Sequence, residues 1–205
     1  ADLVHWKQLP NAIEIDSTGH IYSGTAAVDW RNTSGFKTGD EDVIVAFYTA
    51  EGCQLNPKKP TTQCIAYSND RGRTWTKYSG NPVIGQISAG NRDPKVFWHQ
   101  ASGKWIMVLY VEEARDGNKV HTFKFFNSTD LKKWVQTGSI DGFFECPELF
   151  ELPVDDSSNE TRWILLAADG GYLVGTFNGK SFIPESSKML LDHGRNFYAA
   201  QTFND

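Results

Sequence analysis

The feature that most limits the fold of this chain is its near lack of helical periodicity. Short runs rich in β-branched and aromatic residues alternate with clusters of Gly, Asn, Asp and Pro, a pattern typical of closely spaced strands. Turn signals such as Ser102-Gly103 and Asn178-Gly179 separate the runs. We therefore predict an all-β chain in which residues 155–161 form a polar loop. The predicted strands cover residues 21–29, 42–50, 63–69, 95–99, 104–112, 119–127, 148–152, 162–168, 172–177 and 197–203.

A short turn motif recurs along the chain. Each copy has a turn-forming acid or amide, followed four or five residues later by an aromatic residue. Units of about 40 to 50 residues with four strands have the size of propeller blades. The pattern therefore predicts a β-propeller in which Trp6, Trp75 and Trp134 plug the outer parts of blades rather than contact a sugar. The copies lie at residues 2–6, 68–75, 128–134 and 177–182.

The composition argues against several classes of partner. The formal net charge of -5 comes without a basic tract, so the sequence does not predict nucleic-acid binding. Hydrophobic runs are too short to cross a bilayer, so no membrane insertion is predicted. The 7 Trp, 7 Tyr and 13 Phe are typical both of proteins that stack on sugar rings and of all-β cores.

The three cysteines form neither a disulfide framework nor a zinc pattern. Cys53 and Cys64 are spaced so that they could bridge a loop between two strands. Cys146 would then be a buried free thiol.

Three asparagines, Asn32, Asn127 and Asn159, each begin an Asn-x-Ser/Thr pattern. This pattern is the acceptor for N-glycosylation, and it matters only in a eukaryotic secretory host. No signal peptide is visible, and the first residues resemble the middle of a domain. We therefore expect a chain whose natural N-terminus is missing.

One stretch, Phe143-Phe144-Glu145-Cys146-Pro147, places a carboxylic acid after two aromatic residues. Burial against apolar neighbours disfavours the charged carboxylate and raises its pKa. A carboxyl group with a raised pKa can donate a proton near neutral pH, as a general acid must. Pro147 suits the start of a strand, where a pocket can reach Glu145. The alternative is a capped or ion-paired Glu145 beside a structural Cys146.

A second stretch, Arg92-Asp93-Pro94, has the same order of a carboxylate before a strand with Pro near its start. In a propeller, the starts of the innermost strands converge at the central channel. The repeat places these starts near Ser23, Asp93, Glu145 and Tyr198, so two carboxylates would share one funnel. The alternative is that Arg92 and Asp93 simply pair with each other.

Several motifs, in order along the whole chain, resemble signatures of glycoside hydrolase family 32. This family contains fructosidases: invertases, exo-inulinases and levanases. Each motif is short, but their number and order make the resemblance specific. The motifs are Tyr22-Ser23-Gly24-Thr25-Ala26, Asn32-Thr33-Ser34-Gly35-Phe36, Ile65-Ala66-Tyr67-Ser68, Arg92-Asp93-Pro94-Lys95-Val96-Phe97-Trp98, Glu145-Cys146-Pro147-Glu148-Leu149-Phe150 and Asp192-His193-Gly194-Arg195-Asn196-Phe197-Tyr198-Ala199-Ala200.

The resemblance implies a five-bladed β-propeller that is only partly present. Residues 1–205 would form a partial catalytic domain, with the end of blade 1, blades 2–4 and the start of blade 5. The β-sandwich domain that follows in full-length members would be absent. An incomplete propeller leaves strand edges unpaired, so we expect self-association or low stability. A monomeric, cooperative melt in calorimetry would contradict this expectation.

The resemblance also implies an activity, the hydrolysis of terminal β-D-fructofuranosides in sucrose, inulin or levan by a retaining mechanism. Glu145 resembles the acid/base, and Asp93 resembles the residue that stabilises the transition state, with Arg92 beside it. Ser23, Tyr22 and Tyr198 resemble walls of the substrate pocket, and Cys146 would tune Glu145 or pack behind it. This chemistry implies no metal and no organic cofactor. It also implies a fructose-containing oligosaccharide or polysaccharide as partner, and a secreted protein.

The chain departs from the family pattern in four places. No Trp-Met-Asn-Asp-Pro-Asn-Gly-type motif, which carries the family's Asp nucleophile, is present in these 205 residues. Asn91 stands where an aromatic residue is usual, Tyr22 replaces Phe, and His193 stands where Tyr is common. Without a nucleophile the two-step displacement cannot run, so we expect this chain alone to be inactive.

The main alternative is a non-catalytic propeller remnant that binds fructan or another sugar through Asp93 and Glu145. Propeller glycosidases that act on arabinan or xylan are a third interpretation, which the two carboxylate motifs disfavour. Residues 68–75 resemble a sialidase box, but no sialidase arginine triad is visible in the sequence. Details of residues 70–75, 95–99 and 146–150 resemble microbial levanases and inulinases more than plant vacuolar invertases.

Overall fold

The computed structural model describes residues 2, 4–155 and 157–203, without the side chains of residues 157–159. In this part of the chain, thirteen strands form three antiparallel sheets, and none of the described residues lies in a helix. The first sheet contains β1 (His20–Asp29), β2 (Val43–Glu51), β3 (Thr62–Ser68) and β4 (Thr76–Lys77). The second contains β5 (Arg92–His99), β6 (Lys104–Arg115), β7 (Asn118–Ser128) and β8 (Val135–Asp141). The third contains β9 (Glu148–Val154), β10 (Ser157–Leu166), β11 (Gly171–Phe177), β12 (Phe182–Pro184) and β13 (Met189–Leu190).

The sheets are meanders in which neighbouring strands follow each other along the chain, and β13 also pairs with β11. This is the four-strand unit of a propeller blade, so the prediction of an all-β chain is confirmed. Two hydrophobic cores lie between consecutive sheets. One joins the first and second sheets, for example Phe47 with Leu109, and the other joins the second and third, for example Phe123 with Leu165. Each such fully buried side chain contributes about 1.5–3 kcal/mol to folding.

The first strands of the three sheets lie next to one another. The Thr25 hydroxyl of β1 donates to the Pro94 carbonyl and accepts from the Val96 amide of β5, both at 3.0 Å. From β5 to β9, Lys95 Nζ lies 2.8 Å from Glu148 Oε2, and both side chains are buried. These contacts bring the starts of the three strands to one end of the molecule, as the propeller prediction required.

The recurring turns are built alike in two blades, with one residue fewer between acid and indole in the second. Asp70 Oδ1 accepts from the amides of Arg73 and Thr74 at 3.0 and 2.9 Å. Asp130 Oδ1 accepts from the two amides of Lys132 and Lys133 at 2.9 and 2.8 Å. The indoles close these turns in the same way, since Trp75 and Trp134 donate to the carbonyls of residues 72 and 131.

Trp75 and Trp134 are partly buried against the cores, as predicted for plugs of a blade. For Trp6 the prediction is wrong, because 81% of its surface is exposed. Trp6 follows the same turn pattern, in which Asp2 accepts from the amides of Val4 and His5. The turn alone therefore does not bury its aromatic residue; a blade surface must lie beside it.

Nine of the ten predicted strands are present, with ends that differ by a few residues. The predicted strand 197–203 is wrong, since this segment runs without a ladder and is held by single contacts such as Ala199 N to Ala168 O at 3.0 Å. The predicted loop 155–161 is also wrong, because β10 begins at residue 157. The sequence patterns did not predict β4, β8, β12 and β13, which are short or largely exposed and so lack an apolar signal.

The cysteines are all free, so the bridge between Cys53 and Cys64 is not present. Cys53 is exposed and Cys64 is buried. Among the glycosylation predictions, Asn32 is exposed, but Asn127 is buried within β7 and cannot carry a glycan in this fold. The side chain of Asn159 lies outside the described residues. Among the residues that the structure describes, no helix could cross a bilayer.

Candidate functional site

The start of β5 carries Asp93 on a bent backbone. The pairing of β5 with β6 shifts register between Arg92 and Lys95, and Asp93 has a φ of 63°, in the left-handed region. Such a bulge redirects a side chain, and a left-handed residue other than glycine persists only where its surroundings impose it. The Asp93 side chain is consequently turned into the interior, and only 8% of the residue is exposed.

Buried polar groups from the first sheet impose this conformation. Thr49 Oγ1 accepts from the Asp93 amide at 3.0 Å and donates to Gln63 Oε1 at 2.9 Å. Gln63 Nε2 in turn donates to the Asn91 carbonyl at 3.1 Å, and Asn91 Nδ2 donates to the Thr61 carbonyl at 3.2 Å. Asn91, an unusual residue at its place in the motif, is therefore part of a buried hydrogen-bond chain that fixes the start of β5.

The start of β9 carries Glu145, three residues before the strand begins. Glu145 and Cys146 both have left-handed φ values, 50° and 41°. The carboxylate is held from two sides. Its Oε1 accepts from Arg92 Nε at 3.0 Å and from Nη2, and its Oε2 accepts from the Tyr198 hydroxyl. The structure thus brings two other predicted site residues, Arg92 and Tyr198, into contact with Glu145.

Arg92 links the two carboxylates. Besides its contacts to Glu145, its Nε lies 3.8 Å from Asp93 Oδ2, and its Nη1 donates to the Gly90 carbonyl at 3.1 Å. The simple pairing of Arg92 with Asp93 is therefore the weaker of its two ionic contacts. One guanidinium holds both acids in a single site, as the convergence of the inner strands predicted.

The pKa values of the two acids move in opposite directions. Burial would raise the pKa of Glu145, but the hydrogen bonds from Tyr198 and Arg92 and the charge of Arg92 outweigh it and lower the pKa. Burial raises the pKa of Asp93, and the Cys146 amide and Arg92 offset this only in part. The prediction that aromatic neighbours raise the pKa of Glu145 is therefore wrong, because the basic and phenolic partners come from distant segments.

Cys146 contacts Asp93 rather than packing behind Glu145 as predicted. Its amide donates to Asp93 Oδ2 at 3.2 Å, and its thiol lies 3.6 Å from the same oxygen. Burial and the neighbouring Asp93 raise the pKa of the Cys146 thiol to about 12. The thiol is consequently protonated near neutral pH and serves as a donor to Asp93, not as a nucleophile.

A small hollow opens beside these groups. Of the three predicted pocket walls, Ser23 lines it, together with Asp93, Cys146 and Gln201, whereas Tyr198 contacts Glu145 outside the residues that line the hollow. Tyr22 lies elsewhere: its hydroxyl accepts from Gln54 Nε2 at 2.5 Å, and 45% of Tyr22 is exposed. Tyr22 is thus not among the residues that line the hollow, and β1 shifts register between Tyr22 and Gly24.

Beneath the hollow, a buried ion pair joins β5, β9 and the last segment of the chain. Glu148 Oε2 lies 2.8 Å from Lys95 Nζ and accepts from the Thr202 hydroxyl at 2.6 Å. Lys95 Nζ also donates to Thr202 Oγ1 at 3.0 Å. This pair fixes the segment that carries Tyr198, and its members were not recognised as site residues from sequence because no local pattern marks their pairing.

The other site residues that the sequence did not reveal are Thr49, Gln63 and Gln201. Gln201 Nε2 donates to the Gly24 carbonyl at 3.2 Å, next to Ser23. These side chains come from three distant parts of the chain, so spacing carried no signal for them. Within the described residues, no group of three or more His, Cys, Asp or Glu side chains is arranged to hold a metal ion.

Comparisons with known proteins match the whole chain to one family. Residues 1–205 match the Glycosyl hydrolases family 32 N-terminal domain. A levanase of Bacillus subtilis (strain 168) is 44% identical over 227 residues, covering 100% of this chain and 31% of the relative. An extracellular exo-inulinase of Meyerozyma guilliermondii is 37% identical, covering 100% of this chain and 41% of the relative.

Solved structures agree as well. The fructofuranosidase from Schwanniomyces occidentalis complexed with fructose has a TM-score of 0.83 and 37% identity, covering 100% of this chain and 42% of that one. The chain therefore spans less than half the length of the proteins that it matches. The three blades correspond to part of a five-bladed propeller, as predicted.

Proposed function

Because this chain belongs to glycosyl hydrolase family 32, we propose that it supplies part of a site that hydrolyses terminal β-D-fructofuranosides. The substrates would be sucrose, inulin or levan, and the partner a fructose-containing oligosaccharide or polysaccharide. The observation that carries the proposal is the Arg92 guanidinium, which contacts both Glu145 and Asp93 beside a hollow that Asp93 and Ser23 line. Secretion is part of the proposal, supported by the name of the extracellular relative.

In the proposed mechanism, Glu145 protonates the leaving oxygen while a carboxylate nucleophile, whose motif is not among these 205 residues, would bind the anomeric carbon of the fructosyl group. Glu145, now a carboxylate, then takes a proton from the water molecule that displaces the nucleophile. Asp93 accepts hydrogen bonds from fructosyl hydroxyls, which strengthen as the oxocarbenium ion forms. The lowered pKa of Glu145 opposes its first role. The mechanism therefore requires that Arg92 or Tyr198 release Glu145 when the sugar enters, so that the carboxyl group can carry its proton.

A second candidate function is sugar binding without hydrolysis. It is favoured by the sequence, since the Asp nucleophile motif is not among the 205 residues. Asp93, Ser23 and Gln201 would then contact a fructosyl unit that is never cleaved.

Fructose release from sucrose, inulin and levan tests the proposal. Two polypeptides should be compared: this 205-residue chain, and the longest natural polypeptide that carries it, called the natural protein below. We expect release by the natural protein and none by the 205-residue chain. Sugar binding by both polypeptides without release by either would favour the second candidate. Release by the shorter chain would show that another carboxylate within it acts as nucleophile.

A further inference from the structure

Next to the site, the rings of Tyr110 and His121 in the second sheet contact the neighbours of Glu145: Tyr110 contacts Arg92, and both rings contact Phe144. We propose that Tyr110 and His121 form a positioning pair that holds Arg92 and Phe144, and through them sets the place of the Glu145 carboxyl group. This inference rests on the proposed function, since it concerns how the proton donor is aimed at the leaving oxygen. Neither ring contacts Glu145 through a described hydrogen bond, so both act through other residues.

Tyr110 lies under the guanidinium. It is the cross-strand partner of Arg92 in the pairing of β5 with β6, and Arg92 Cζ lies 4.5 Å from the centre of its ring. Tyr110 is completely buried. A guanidinium that lies over a tyrosine is attracted by the face of the ring, and its plane tends to stack on that face. The ring therefore limits how Arg92 can present Nε and Nη2 to Glu145.

His121 fixes the orientation of Tyr110. The Tyr110 hydroxyl and His121 Nδ1 lie 2.6 Å apart, a hydrogen bond whose donor depends on the imidazole tautomer. The two rings are stacked, with centres 5.9 Å apart and an interplanar angle of 21°. Glu112, which pairs with Lys119 at 2.9 Å, lies 3.5 Å from the same hydroxyl. A buried ring with a bonded hydroxyl has little freedom to tilt, so it is a firm support for Arg92.

The same two rings also hold the chain just before Glu145. Phe144 packs edge to face against Tyr110, with ring centres 5.7 Å apart, and against His121, with centres 5.1 Å apart. Edge-to-face contacts between aromatic rings are attractive beyond the burial of apolar area. Because Glu145 follows Phe144 with a left-handed φ, its backbone depends on a fixed neighbour. Side chain and backbone of Glu145 thus rest on one pair of rings.

If the Glu145 carboxyl group is misplaced, the reaction rate should fall more for some substrates than for others. A displacement of about 1 Å can lower a rate on the order of 10²-fold. The loss should appear only where the leaving group needs a proton. The leaving group of sucrose is a glucose hydroxyl, which needs protonation, whereas p-nitrophenyl β-D-fructofuranoside releases a stable phenolate, which does not. Since kcat/KM reports the first chemical step, the ratio of kcat/KM for the two substrates measures how well Glu145 is placed.

The experiment uses the natural protein with three substitutions. Tyr110→Leu removes the ring, and we expect kcat/KM for sucrose to fall on the order of 10²-fold, with a change of about threefold or less for the aryl fructoside. Tyr110→Phe keeps the ring and should retain sucrose activity to within about fivefold, the effect of one hydrogen bond. Phe125→Leu, in the same core but far from Arg92, controls for loss of stability and should leave the substrate ratio unchanged.

Three results would overturn the inference. Equal losses on both substrates in Tyr110→Leu would show a general structural role. An unchanged sucrose rate in that variant would show that the ring is dispensable. A substrate ratio that moves equally in Phe125→Leu would show that any core defect displaces Glu145. If the wild-type natural protein releases no fructose from either substrate, the proposed function has failed, and the inference fails with it.

Discussion

The starts of β5 and β9 share a sequence pattern but differ in environment. Each has a carboxylate with a left-handed φ, 63° at Asp93 and 50° at Glu145, followed within two residues by proline. Asp93 faces the interior and its pKa is raised by burial, whereas Glu145 faces Arg92 and Tyr198 and its pKa is lowered. The two starts therefore share a local sequence pattern and a left-handed backbone, and contacts from other parts of the chain set the charge of each acid.

The difference matters because the two acids have different proposed tasks. Asp93 would face the fructosyl unit, so its effect should not depend on the leaving group. Glu145 would face the leaving oxygen, so its effect should depend on that group strongly. The predictions below test this division in the natural protein.

The largest effect is expected for Glu145→Gln. We expect kcat for sucrose to fall about 10²–10⁴-fold, the usual contribution of a general acid, with only a modest change in sucrose binding. For p-nitrophenyl β-D-fructofuranoside, kcat/KM should change little. Steady-state kinetics on both substrates measures this. Glu41→Gln, at an exposed ion pair with Arg71, is the matched control. Near-normal turnover of sucrose would remove Glu145 from the mechanism.

The buried ion pair of Lys95 and Glu148, near the starts of β5 and β9, should have a large effect on the stability of the fold. Lys95→Met leaves Glu148 buried without its cation, and we expect the free energy of unfolding to fall by about 3–5 kcal/mol. Removing both charges, in Lys95→Met with Glu148→Leu, should recover a large part of this loss. Chemical denaturation measures both variants. If the single and double variants were equally unstable, the loss would come from packing and not from the unpaired charge.

Asp93→Asn should lower kcat/KM by about 10²–10³-fold, the range seen when one group that stabilises a transition state is removed. In contrast to Glu145→Gln, the loss should be the same for sucrose and for the aryl fructoside. Asp192→Asn, which changes an exposed carboxylate outside the site, should have no such effect. If only the sucrose activity fell, Asp93 would act on the leaving group, and the division of tasks between Asp93 and Glu145 would be wrong.

The smallest effect is expected for Tyr198→Phe, and it concerns pH. Glu145 must be protonated to act as an acid, so kcat/KM falls as the pH rises through its pKa. The Tyr198 hydroxyl helps to lower that pKa, and its removal should raise the pKa and move the basic limb to higher pH. The change in kcat itself should be about fivefold or less. A pH profile of kcat/KM tests this, and a shift to lower pH would contradict the prediction.

Much of the fold followed from local patterns. Runs of β-forming apolar residues predicted strands such as β2 and β6, which lie inside their sheets and are largely buried. The turn around Asp70 was predicted because its carboxylate bonds amides only three and four residues away. Residues 197–203 were misassigned because β-forming residues need a partner strand, and in the described structure this segment has none.

The sequence alone thus determined the more buried strands of the blades, their order along the chain and the two carboxylates beside strand starts, since these follow from short runs of residues. Only the tertiary structure decided the protonation behaviour of the site. Arg92 and Tyr198 approach Glu145 from positions 53 residues away on either side, and Thr49 approaches Asp93 from 44 residues away. Electrostatic interactions depend on distance in space, and spacing along the chain does not report that distance.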